Sequence, residues 1–203
     1  MTLRVLHVDD HPLIRQGCEM LLSKLDRYEL VGALDQGHGV VEYVAEHDVD
    51  IVILDLDLPD VNGASLLAEL IGKYDQTVIL LTGQKRPSDF SFALKMGVRA
   101  IVSKADAVDD IEIALDKALE GDNYFSDGIK SIVENMQNDP VPLSPRQLAI
   151  LHFLKSGETN KEISFRLGIA MPTVSFHIGE IRKKLGVSNN KKILLKAMEA
   201  GIL

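Results

Sequence analysis

The chain has 203 residues, 46% of them hydrophobic, a formal net charge of −8 and one cysteine, Cys18. That length can build one large or two small cores, and a single cysteine excludes an intrachain disulfide framework. No apolar stretch is long enough to span a membrane, and the opening Met-Thr-Leu-Arg-Val-Leu-His-Val reads as a strand rather than an export signal, so a soluble cytoplasmic protein with no membrane partner is expected.

As far as residue 121, apolar strand-like runs alternate with helical patterns. The strands are predicted at Arg4–Val8, Glu29–Ala33, Ile51–Leu54, Thr77–Leu81 and Ala100–Val102. The helices are predicted at Pro12–Leu25, Val40–His47, Ala64–Ile71, Ser88–Met96 and Ala107–Glu120, the last with Asp106 as its N-cap. Cys18 shares a helical stripe with Leu21, Leu22 and Leu25 and reads as a small core residue. Five strands alternating with five helices predict an α/β domain, a parallel sheet covered on both faces, over residues 1–121.

Residues 122–142 read as a linker. Gly128, Pro140 and Pro142 interrupt it, Asn138-Asp139-Pro140 is a breaker, and Ile129, Ile132, Val133 and Met136 fit a short helix within it. Residues 143–203 read as a small all-α domain of four helices. Ser144-Pro-Arg-Gln147 and Thr159-Asn-Lys-Glu162 fit capping boxes, Gly168 ends the second helix, and Pro172–Leu185 and Lys191–Ala200 follow. A glycine turn between two short helices is the layout of a helix-turn-helix. Charge divides the same way: residues 1–139 hold 12 Lys and Arg against 26 Asp and Glu, and residues 140–203 hold 10 against 4. The basic half therefore suits a polyanion, although two solvated surfaces of opposite sign would give the same count.

Asp9-Asp10, Asp55, Thr82 and Lys104 all follow predicted strands, and ligands of such sheets bind beyond the strands' carboxyl ends. Singly, each has a structural reading: a surface turn, a solvated lysine, a strand threonine. Together they offer what phosphoryl transfer to a carboxylate needs. A divalent cation on the carboxylates neutralises the phosphoryl oxygens, an ammonium adds positive charge, and a hydroxyl adds a hydrogen bond. The histidines show no metal-ligand spacing, and Gly37-His-Gly39 reads as a turn.

In the basic half, Val174, Ile178, Ile181 and Leu185 form a core stripe. Thr173, Phe176, Gly179, Glu180 and Lys183 lie on the opposite face, so Phe176 is expected to be exposed, either to touch thymine methyl groups or to mark a protein interface. Arg182-Lys183-Lys184 suits both a helix C-terminus and DNA phosphates. Ile193, Leu194, Ala197 and Met198 supply an apolar seam for dimerisation or for packing within the domain.

Val8-Asp9-Asp10-His11-Pro12, Asp55-Leu-Asp57-Leu-Pro59-Asp-Val-Asn-Gly63, Thr82-Gly83 and Val102-Ser103-Lys104 resemble the receiver domain of bacterial response regulators. The resemblance implies a doubly wound five-stranded sheet of order 2-1-3-4-5. It also implies that Asp55 accepts phosphate from a sensor histidine kinase. Mg²⁺ would be held by Asp9, Asp10, Asp55 and the backbone carbonyl of Asp57, with Thr82 and Lys104 on the phosphoryl oxygens. The chain departs from the family at Ile101, where an aromatic residue is common.

Leu143-Ser-Pro-Arg146, Gly157-Glu-Thr-Asn160-Lys-Glu-Ile163, Thr173-Val174, His177 and Arg182-Lys-Lys-Leu185-Gly-Val187 resemble the LuxR-type DNA-binding domain, which places the chain near the NarL/FixJ group. This implies a transcriptional regulator that binds double-stranded promoter DNA, as a homodimer when active, through Thr173, Ser175, Phe176, His177, Arg182, Lys183, Lys184, Lys161 and Lys191. Family members often carry basic residues at Ser175 and Gly179. It implies no enzyme activity beyond the domain's own phosphorylation and dephosphorylation. Two alternatives are a phosphorylation-independent regulator or interaction adaptor, and a phosphatase of which Asp55-Leu-Asp57 would be the Asp-x-Asp.

Overall fold

The computed structural model describes residues 2–84, 86–135 and 141–203. Its elements in chain order are β1 (Leu3–Val8), α1 (Pro12–Leu22), β2 (Tyr28–Leu34), α2 (Val40–Glu46), β3 (Ile51–Leu54), α3 (Gly63–Tyr74), β4 (Thr77–Thr82) and α4 (Pro87–Met96). They continue with β5 (Ala100–Ser103), α5 (Ala107–Glu120), β6 (Tyr124–Phe125), α6 (Asp127–Glu134), α7 (Pro145–Lys155), α8 (Asn160–Leu167), α9 (Met171–Leu185) and α10 (Lys191–Glu199).

The sheet is parallel throughout, in the order β2-β1-β3-β4-β5-β6. Five strands and their order follow the expectation; the sixth does not. Tyr124 and Phe125 pair with Ala100 and Ile101, inside the stretch read as linker. A two-residue strand has no periodicity to detect, and only the free edge of β5 specifies it. Ser126 secures the junction, its hydroxyl accepting from the Ser103 amide at 3.0 Å. The short helix expected next is α6; Met136 and the Asn138-Asp139-Pro140 breaker lie outside the described residues.

Side chains alternate across the strands as period-2 geometry requires. Val5, Ile51, Ile53, Ile79 and Leu81 pack under α1 and α5 together with Cys18. Leu6, Val52, Leu54, Val78 and Leu80 pack under α2, α3 and α4. This second core does not stop at the receiver-like unit. It continues through Leu148, Leu151 and Phe153 of α7 into Ile163, Val174, Ile178 and Ile181 of the helical unit.

Local chemistry sets the helix ends. Ser144 and Thr159 form both expected capping boxes, and Gly168 closes α8 at φ +62°. Asp106 occupies the N-cap of α5, but its side chain makes no cap hydrogen bond. Asn62 supplies a cap absent from the sequence reading, accepting from the Ser65 amide at 2.9 Å.

Candidate functional site

The sheet register brings the acidic residues together. The Asp55 amide donates to the Val8 carbonyl at 2.9 Å, and the Lys104 amide donates to the Thr82 carbonyl at 2.9 Å, so both residues leave their strands at the same carboxyl edge. There Lys104 Nζ donates to Asp55 Oδ2 at 2.6 Å and to Asp9 Oδ1 at 2.9 Å. The second Asp55 oxygen, Oδ1, accepts from the Asp57 amide at 3.0 Å. Asp9 and Asp55 are buried, and Asp10 is half-buried beside them. Burial opposes the charge on Lys104, but hydrogen bonds to Asp55 and Asp9 outweigh it and raise the Lys104 pKa.

The donor set fits a hard divalent cation. Ligand atoms of Asp9, Asp10, His11 and Asp55 all lie within 4.8 Å of one another. Asp9 Oδ2 is buried without a hydrogen-bond partner and Asp10 Oδ1 is buried against the His11 ring, which leaves carboxylate oxygen for an ion to satisfy. His11 was not singled out from the sequence. Its Nδ1 lies 2.5 Å from Asp10 Oδ1 and 3.1 Å from Lys104 Nζ.

Thr82 lies at the edge, but its hydroxyl is turned along the chain: it donates to the Gln84 carbonyl at 3.0 Å and accepts from the Gln84 amide at 3.1 Å. The Asp57 side chain faces away from the acceptor and pairs with Arg86 at the N-cap of α4. Arg86 also reaches Asp89 at 3.3 Å. No sequence pattern announces a pair from loops 29 residues apart. Ile101 is fully buried between β4 and β6.

On the helical unit, α9 buries Val174, Ile178, Ile181 and Leu185, as expected. Each such burial contributes about 1.5–3 kcal/mol. Thr173, Ser175 and Lys183 are exposed on α9, with the Ser175 hydroxyl accepting from Asn160 Nδ2 of α8 at 3.2 Å, Phe176 is 63% exposed, and His177 is half-buried. Lys161 and Lys191 are exposed at the starts of α8 and α10. Lys184 has a structural task, donating to the Pro142 carbonyl at 2.6 Å and to Gln147 Oε1 at 2.9 Å, so it braces the start of α7. Arg182 is half-buried. Of the seam read on α10 for dimerisation or packing, Ile193 and Ala197 serve packing: both are fully buried inside the helical unit, because α10 turns that stripe towards α7 and α9. The apolar residues that α10 exposes are Leu195 and Met198, with Leu194 half-buried.

The contact between the two units was not legible in the sequence. Glu69 of α3 is buried and receives Arg166 of α8 at 2.8 Å, while Arg166 also reaches Glu158 at 2.9 Å. The Ser65 and Ser156 hydroxyls lie 3.2 Å apart, and the Lys73 ammonium is 4.8 Å from the Phe165 ring centroid. A cleft of about 960 Å³ opens beside this contact, lined by Gly37, Asp60 and Asn62 on one side and Glu158, Lys161 and Arg166 on the other. Asp55 does not line it. The available signal was Glu69 itself, a charged residue among Leu66, Leu67, Ala68 and Leu70 in a helix buried on every side. Arg166→Ala should strand the Glu69 carboxylate. With a discount for the half-exposed arginine, the cost is about 2 kcal/mol of interdomain stability. Hydrogen exchange of α3 amides should then quicken roughly 30-fold, the same energy expressed as a ratio; unchanged exchange would contradict the contact.

Two families match successive parts of the chain. The response regulator receiver domain family matches residues 5–116, and the luxR family of bacterial regulatory proteins matches residues 141–197. The Fimbriae Z protein of Salmonella typhimurium is 31% identical over 189 residues, covering 90% of each chain. The nitrate/nitrite response regulator protein NarL of Escherichia coli is 28% identical over 190 residues, covering 89% of this chain and 88% of its own. RcsB from Salmonella enterica serovar Typhimurium, solved bound to a promoter with a phosphomimetic, shares the fold at a TM-score of 0.64 and 23% identity over the whole of both chains. Among the described residues, no helix is long and apolar enough to cross a membrane. The chain belongs to the response regulators that join a receiver domain to a luxR-type regulatory domain.

Proposed function

We propose that Asp55 of this transcriptional response regulator accepts a phosphoryl group from a sensor histidine kinase, and that the phosphorylated state controls dimerisation and promoter binding by the helical domain. The reading assigns residues 1–121 to the receiver, 122–142 to the connection and 143–203 to DNA binding. The observation that carries it is the buried Asp55 carboxylate held by Lys104 at 2.6 Å, beside the Asp9 Oδ2 atom, which is buried without a hydrogen-bond partner.

In the transfer, an Asp55 oxygen forms the new bond to phosphorus as the phosphorus–nitrogen bond of the kinase phosphohistidine breaks and the imidazole leaves with its electron pair. Mg²⁺, held by Asp9, Asp10, Asp55 and the Asp57 carbonyl, would neutralise charge on the phosphoryl oxygens. Lys104 holds the carboxylate in place and meets the incoming oxygens. Thr82 reaches them by releasing Gln84, which draws the β4–α4 connection inwards. Water later cleaves the acyl phosphate; its own phosphorylation and dephosphorylation are the chemistry assigned to the chain. A phosphoryl donor in a sensor kinase and a DNA target place this work in the cytoplasm.

Thr173, Ser175, Phe176 and His177 would face the major groove, with Lys161, Lys183 and Lys191 on phosphates. A dimer seam on α10 would use Leu195 and Met198. In a test by intact-mass spectrometry, incubation with acetyl phosphate and Mg²⁺ should give one acyl phosphate, mapped to Asp55; labelling that ignores Mg²⁺ removal would contradict the site. Lys183→Ala should weaken all DNA sequences alike and lower the salt slope by about 1, read from binding isotherms at several salt concentrations. The buried Ile101, in the place of the usual aromatic residue, favours a second reading as a phosphorylation-independent regulator, for which DNA affinity would be identical with and without beryllofluoride.

A further inference from the structure

Helix α7 has no polar face. Every residue from Gln147 to Phe153 is buried, because one side of the helix packs into the helical domain and the other meets α3 and α4 of the receiver. His152 lies in that run. It is 4% exposed, and neither ring nitrogen has a hydrogen-bond partner. Its ring packs on Phe92 of α4, with centroids 4.0 Å apart and planes inclined by 42°. An unbonded buried imidazole is costly in any protonation state, and far more so when charged.

We propose that His152 is a proton-operated release for the interdomain contact: the neutral ring seats against Phe92, and the protonated ring favours separated domains. The charged groups around it offer no compensation. On α7 itself, Lys155 repels a second positive charge. On α4, Asp89 is paired with Arg86; on α3 and α8, Glu69 and Glu158 are paired with Arg166; on α9, Lys184 bonds to the Pro142 carbonyl and Gln147.

Burial, helped by Lys155, lowers the His152 pKa to about 4 in the closed chain. A ring freed into water titrates near its ordinary value of about 6.5. The closed form therefore keeps its full advantage above pH 6.5 and loses it as pH falls from there towards 4. With these two values, the ratio of open to closed molecules rises about tenfold between pH 7.5 and 5.5. The release acts through Phe92 of α4 and needs no phosphate.

Small-angle X-ray scattering of the full chain without phosphodonor, from pH 7.5 to 5.5, tests it. Wild type should expand as pH falls, with unchanged far-UV circular dichroism, and His152→Leu should stay compact throughout. His152→Gln, neutral at every pH and polar enough to fold where the leucine variant does not, should likewise show no pH response. Histidine ring NMR on the same samples should find His152 titrating well below 6.5. Equal expansion of wild type and both variants, or a His152 that titrates near 6.5 in the compact chain, would overturn the proposal.

Discussion

Asp55→Asn should carry no acyl phosphate after incubation with acetyl phosphate and Mg²⁺, while the folded chain survives. The amide cannot supply the carboxylate oxygen that bonds to phosphorus, so the expected loss is complete rather than partial. Folding should tolerate the change because Lys104 keeps its 2.9 Å bond to Asp9. Intact-mass spectrometry reads the result, and labelling of the asparagine chain at the wild-type rate would move the acceptor away from Asp55.

Gly63→Ala should be the most damaging single methyl group in the receiver. A Cβ at Gly63 would lie 2.3 Å from the Leu56 carbonyl oxygen and 2.6 Å from its Cα. Both are backbone atoms, in the loop between Asp55 and Asp57, so no rotamer change relieves the clash. We expect a cost of about 3 kcal/mol and a melting temperature lower by roughly 10 °C. Because the displaced segment carries the Asp57 amide that bonds Asp55, phosphorylation should slow as well. Calorimetry and labelling kinetics check the two effects, and a melting temperature within about 1 °C of wild type would show that the loop can yield.

The parts of this structure that declare themselves in the sequence are local or periodic. Ile51–Leu54 and Val78–Leu81 are continuous apolar runs because parallel strands are covered on both faces. Ser144, Thr159 and Gly168 carry their helix boundaries in single side chains. Asp9, Asp55 and Lys104 could be brought together because strand ends in a parallel sheet share one edge. What escaped depends on partners distant in sequence. Glu69 and Arg166 are 97 residues apart, and although Glu69 stands out among apolar neighbours, nothing in the sequence points to Arg166 as its partner. The fully buried Ile193 and Ala197 resembled an open seam because the period of a helix does not say which neighbour covers a stripe. The Thr82 hydroxyl turns to Gln84 through a two-residue loop geometry that no residue type dictates.

Signal passage is a question of which contacts feel charge at Asp55. Arg86 joins Asp57 to the start of α4, and Phe92 on α4 carries His152 of the helical domain. On the proposed phosphorylation of Asp55, a phosphoryl group would add negative charge beside Lys104 and recruit Thr82 at the end of β4, which would make α4 the element through which both the receiver site and the interdomain contact are biased.

The most direct measurement is the affinity of the full chain for a selected promoter fragment, with and without beryllofluoride and Mg²⁺, in wild type and Asp55→Asn. Adding beryllofluoride to wild type should raise the affinity about tenfold or more, the usual size of a coupling between sites, and should change nothing in the asparagine variant. Equal affinities in all four samples would contradict control of promoter binding through Asp55.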